Sequence, residues 1–124
     1  MEIKFLNLRV QSPATKSGEY KLNDIIEVKD DNNETYYRIY LNNEDSYAEV
    51  PADLSMLPEL KSMTWTLDNK VKNSKVVRCI TGNIQLQEIL DKYGYEGVRY
   101  EVLDNFLNPI PENLYREKRL EYRE

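Results

Sequence analysis

The sequence predicts an α+β fold, mainly an antiparallel sheet with one central helix and a charged C-terminal helix. Three observations predict it. Short apolar or alternating runs recur through the first half, polar Asn/Asp clusters separate them, and one later segment carries helical periodicity. With 124 residues the chain supports a single core. We therefore expect one domain over 1–124: an acidic β-meander half (1–60), a hairpin followed by a helix and strand (61–104), and a linker with a charged C-terminal helix (105–124).

Residues 3–10 read as the first strand, with Leu6, Leu8 and Val10 alternating onto one face, and 11–18 as a loop rich in Ser, Pro, Thr and Gly. Three strands follow at 24–29, 35–41 and 46–50. The clusters at 30–34 and 42–45 join them, and their Asn residues tolerate the left-handed backbone of tight hairpins. In the second of these strands Tyr37, Ile39 and Leu41 share one face, and Tyr36, Arg38 and Tyr40 the other. Pro51 fits the first position of a helical turn over 52–57, which Pro58 is expected to end.

A second hairpin pairs 62–67, where Met63, Trp65 and Leu67 alternate with Ser62, Thr64 and Thr66, with 75–80 across a loop at 68–74. Residues 84–93 form the one convincing helix. Leu86, Ile89, Leu90 and Tyr93 make its apolar stripe, Asn83 is the expected N-cap, and Gly94 is the residue that stops it. A strand at 98–103 completes an expected β–α–β unit running from Val76 to Leu103. The prolines of 105–111 mark a linker, and 112–124 reads as a charged helix with Glu112 and Arg116 spaced i,i+4.

The pattern of Gly18 to Asp31, then Tyr36-Tyr37-Arg38-Ile39-Tyr40-Leu41, then Ala48-Glu49-Val50-Pro51, resembles an SH3-like small barrel. It departs from that family in lacking the usual hairpin glycines. The resemblance implies a partial barrel and a binding module rather than an enzyme. Members of the family bind proline-rich peptides, nucleic acids or other subunits, and some serve as connectors in phage particles.

Charge and composition narrow the function. Residues 1–62 hold 7 basic and 12 acidic groups, so that half carries the whole net charge of −5. An acidic sheet repels phosphate backbones and disfavours duplex nucleic acid, while it attracts basic protein surfaces. There is no histidine, which removes Ser-His-Asp and Cys-His catalysis and every His-containing zinc site. The lone Cys79 can build neither an intrachain disulfide nor a thiolate cluster. The amino terminus carries no secretion signal and no run is long enough to span a membrane, so a cytoplasmic setting is expected, the host cytoplasm if the chain is phage-encoded. No cofactor and no catalytic residue is expected.

Several constellations carry a functional reading beside a structural one. Asp30, Asn32 and Glu34 alternate like calcium-loop ligands, but Thr35 and Leu41 stand where such a loop needs Gly and Glu, which favours a solvated turn. Cys79 ahead of Thr81-Gly82-Asn83 reads as a reactive thiol or anion cradle at a helix start, or as a small core residue. Glu27 and Glu49, on neighbouring expected strands, read as a carboxylate dyad or as a charged outer face. Tyr36, Arg38, Tyr40, Tyr47 and Glu49 read as a partner-binding face, because Tyr and Arg bring large area with a polar tip, or as a face covered within the domain. Trp65 with Lys72, Lys75 and Arg78, and Tyr115 with Arg116 and Arg119, could hold a nucleotide by stacking and charge.

The leading expectation is a non-enzymatic protein-binding module, an inhibitor of a host protein of the anti-defence type that phages and mobile elements carry. The alternatives are a sponge for a nucleotide or small signal, and a structural subunit of the virion-connector type that associates through its C-terminal helix.

Overall fold

In the computed structural model the described residues are 2–7, 23–41, 46–68, 76–79, 84–95, 100–104 and 110. They form an α+β arrangement. Strands β1 (Glu2–Asn7), β2 (Ile25–Lys29), β3 (Thr35–Tyr40), β4 (Ser46–Pro51) and β7 (Glu101–Asp104) make one antiparallel sheet in the order β1-β2-β3-β4-β7. Strands β5 (Trp65–Asp68) and β6 (Val76–Cys79) make a separate hairpin, and helices α1 (Leu57–Ser62) and α2 (Leu86–Lys92) complete the set. The edge strands β1 and β7 do not pair with each other, so the described residues form an open sheet and not a closed barrel.

The meander follows from its turns. Asp30 Oδ1 accepts from the Asn32 and Glu34 N–H groups, both at 2.9 Å, and Asn33 takes the left-handed conformation at φ 64°. Asp30 and Asn33 thereby fix the β2–β3 hairpin, as the short Asn-tolerant turn requires. Asp30 and Glu34 serve this turn, as the solvated reading of that cluster expects.

The sheet is covered on both faces over β2, β3 and β4. Ile25, Tyr37, Ile39, Leu41, Ala48 and Val50 face the main core with Met56, Leu60, Trp65, Leu86 and Leu90. Ile26, Val28, Tyr40 and Tyr47 form a second cluster on the reverse face, with Ile3, Phe5, Tyr36 and Ile110 packed against it. Burial of both faces explains why β2 reads as a near-continuous apolar run.

Asn23 joins the two sheets. Its side-chain Nδ2 donates to the carbonyls of Tyr40 and Trp65, each at 2.8 Å, while its Oδ1 accepts the Trp65 N–H at 2.6 Å. Its own carbonyl accepts from Asn7 Nδ2 at 2.9 Å. Asn23 is 1% exposed, and these four bonds satisfy it in the interior.

Three expectations are corrected. Pro51 closes β4 opposite Tyr36 rather than opening a helical turn, and Pro58 starts α1 instead of ending a helix. Proline suits a first helical turn because its missing N–H would have no partner there, and the Asp53 carbonyl, bonded by Met56 and Leu57, builds the entry. The N-cap of α2 is Gln85, in a reciprocal capping box with Glu88; Asn83 lies outside the described residues. Gly94 does follow the helix, at φ 89°.

The expected β–α–β unit does not form, because β7 pairs antiparallel with β4 and β6 pairs with β5. The outer edge of β6 is already occupied: Cys79 N–H donates to the Ile84 carbonyl, Arg78 bridges to Gln85, and Val77 N–H donates to the Tyr100 hydroxyl at 2.9 Å. The expected strand residues 8–10 and the C-terminal helix at 112–124 lie outside the described residues, as does most of the 105–111 linker.

Candidate functional site

The Tyr/Arg face predicted from β3 and β4 is divided by the structure. Tyr37, Ile39 and Leu41 face the core as expected. Of the opposite set, however, Tyr40 is 8% exposed, Arg38 7% and Tyr47 1%, so these three are interior groups. The Tyr40 and Tyr47 rings lie 5.2 Å apart, and the Arg38 guanidinium sits 4.9 Å from the Tyr47 ring centre and 5.8 Å from that of Tyr36. Arg38 Nε contacts Glu49 Oε2 at 3.3 Å. Alternation correctly separated the two faces, but the second face is also a core, in which Tyr40, Tyr47 and Arg38 are buried.

Burial leaves its mark on Tyr40, whose phenol is pushed up to about 12, partly offset by the Arg38 charge and hydrogen bond. Tyr36 is also raised, first by burial and then by the Glu49 carboxylate.

What remains accessible lies at the end of the sheet where β3 begins, β4 ends and β7 begins. An open cleft of about 450 Å³ is lined there by Glu34, Thr35, Tyr36, Glu49, Val50, Pro51 and Glu101. Glu49 and Glu101 are direct cross-strand partners and project from the same face. Arg38, on the neighbouring strand, is the partner of Glu49 on its other side. The cleft thus holds three carboxylates against one buried guanidinium. Leu103, two residues along β7 on the same face, is 38% exposed.

Strand alternation placed Tyr36 and Glu49 on the face that lines this cleft. Glu34 was assigned to a turn, and Glu101 was missed, because its place depends on β7 pairing with β4 across more than fifty residues of chain. Glu27 and Glu49 do not form the carboxylate dyad that neighbouring strands would allow. Strand β3 separates them, and Glu27 pairs with Tyr37 on one face while Glu49 pairs with Arg38 on the other.

The nucleotide-binding set loses Trp65 as a stacking platform. Trp65 is fully buried and its indole N–H donates to the Leu60 carbonyl at 3.1 Å. Arg78 lies half-buried on β6, and Lys72, Lys75, Tyr115, Arg116 and Arg119 lie outside the described residues. Cys79 is a buried core residue. Among the described residues no cluster of His, Cys, Asp and Glu suits a metal ion, and no helix is long and apolar enough to cross a membrane.

A second polar cluster is a structural clamp. Glu59 on α1 accepts from Lys92 Nζ and the Tyr93 hydroxyl of the α2 end, both at 2.5 Å, and Asp53 accepts from the Tyr95 hydroxyl at 2.9 Å. The bonds from Lys92 and Tyr93 hold the Glu59 carboxyl below its ordinary range, and those from Ser55 and Tyr95 do the same for Asp53. These groups tie the two helices together and are accounted for by that role.

No protein-family model, curated protein or solved structure matches the chain.

Proposed function

We propose that the protein is a non-catalytic binding module that docks a basic protein segment in the Glu34–Tyr36–Glu49–Glu101 cleft and acts by covering it, in the manner of an inhibitor. The observation that carries this reading is the direct opposition of Glu49 and Glu101 at the mouth of an open cleft. Like charges facing each other across a strand pair disfavour the free protein. Arg38 relieves one of them, and a cation supplied by a partner would relieve the other. The flanking Tyr36 ring adds an amphipathic contact of the kind enriched at interfaces. The net charge of −5 supports the same polarity by favouring approach of basic partners.

Selection from a random peptide display library on the immobilised protein tests this, with the Glu34→Gln/Glu101→Gln variant as the comparison. Ligands rich in Arg and Lys that lose roughly tenfold or more in affinity for the variant, about 1.4 kcal/mol or more, are the expected result. Ligands without basic residues, or equal binding to the variant, would contradict it.

A further inference from the structure

We infer that the outer edge of β7 takes up an extended basic segment of the partner as an added antiparallel strand, a mode of docking that rests on the binding function proposed above. The hydrogen-bond parity of the sheet carries the inference. Leu41 N–H donates to the Ser46 carbonyl at 2.9 Å, so Ser46, Ala48 and Val50 direct their backbone groups toward β3. Tyr47 and Glu49 therefore bond toward β7, where they meet Leu103 and Glu101. Val102, between them, directs its N–H and C=O away from β4, and no other described strand pairs with that edge.

The two edges of the sheet differ in how they are defended. Strand β1 exposes Glu2 and Lys4, charges of both signs, and its register shifts at a bulge between Phe5 and Asn7. Mixed charge and a bulge are the usual devices that stop an edge from recruiting another strand. Strand β7 pairs in regular register, shows no bulge, and exposes Leu103 beside charge of one sign only, at Glu101.

Charge selects the occupant. A strand laid beside β7 places the side chain opposite Glu101 on the face that carries Glu49, so an Arg or Lys there reaches both carboxylates of the cleft. A second copy paired through its own β7 would instead bring a second Glu101, and no cation, to that edge. A basic segment of a different protein is therefore the partner, held by backbone bonds to Val102 and by charge at Glu101.

Titration of ¹⁵N-labelled protein with a capped peptide of alternating Arg and Val tests this against the same peptide N-methylated at its valines. N-methylation removes the edge donors and keeps the charge. Slowed hydrogen exchange at the Val102 amide is expected, together with roughly tenfold tighter binding of the unmethylated peptide, the scale of one or two net backbone hydrogen bonds. Val102→Pro should lose the same factor, since proline on an outward-facing edge position leaves the Glu101 and Leu103 bonds to β4 intact. Equal binding of both peptides, with perturbation confined to Glu34, Glu49 and Glu101, would overturn strand addition and leave the acidic docking surface standing. Binding of neither would also overturn it, and the display selection then decides the underlying function separately. Self-association of the protein alone through β7 would overturn the choice of occupant.

Discussion

Glu49 and Glu101 face one another across β4 and β7, and among the described residues only Glu49 has an arginine at its side. The two carboxylates should therefore respond in opposite ways to neutralisation. Glu101→Gln removes a like-charge opposition and should raise stability by roughly 0.2–1 kcal/mol. Glu49→Gln strips the carboxylate from Arg38, whose side chain is 9% exposed, and should cost roughly 1.5–3 kcal/mol. Urea unfolding midpoints at unchanged slope read both effects.

Strand alternation alone placed Tyr37, Ile39 and Leu41 on one core, because a period of two is a local property. It could not show that Arg38, Tyr40 and Tyr47 would be buried as well, since that depends on Ile3, Phe5 and Ile110 arriving from both ends of the chain. The capped end of α2 at Gly94 was legible for the same local reason. Its start was not, since Gln85 and Glu88 cap each other two residues beyond the Asn that the composition favoured. Glu101 was illegible because no local pattern tells a strand which sheet it will join. Trp65 reads from composition as a stacking surface, yet a Trp whose N–H finds a backbone carbonyl is equally at home in a core.

Asn23 carries a second expectation. Its side chain answers the Trp65 N–H and two carbonyls in a region closed to water. Asn23→Ala removes three buried hydrogen bonds and takes the side-chain acceptor from the Trp65 N–H, and an orphaned buried group costs about 1–3 kcal/mol. A loss of several kcal/mol is expected, read as a lowered denaturant midpoint. Asn23→Asp should not restore it, because a carboxylate supplies no donor for the Tyr40 and Trp65 carbonyls.

Alkaline pH offers a third. The folded Tyr40 phenol sits at about 12, above the ordinary value of 10.0, so the folded state holds its proton where the unfolded state has released it. Stability from this group is complete below pH 10 and is lost as pH rises toward 12, by on the order of 1–3 kcal/mol. Tyr40→Phe should flatten that part of the stability profile, measured by urea unfolding across the alkaline range.

Gly94 isolates a backbone effect. At φ 89° it adopts a conformation that L side chains avoid, and a Cβ built there meets nothing within 4 Å. Gly94→Ala should therefore cost roughly 1–2 kcal/mol from backbone strain alone. Gly94→Asn should cost less, because Asn tolerates left-handed backbone. Thermal unfolding of the two variants side by side gives the comparison.

The most direct measurement is amide and side-chain chemical-shift mapping of a display-selected peptide on the ¹⁵N-labelled protein. Perturbation is expected at Glu34, Tyr36, Glu49 and Glu101 and at the Arg38 Nε–H that reports on Glu49, with the signals of Glu59 and Lys92 at the helix clamp unmoved. Perturbation centred on that clamp or on exposed Leu54, with the cleft residues silent, would contradict the account.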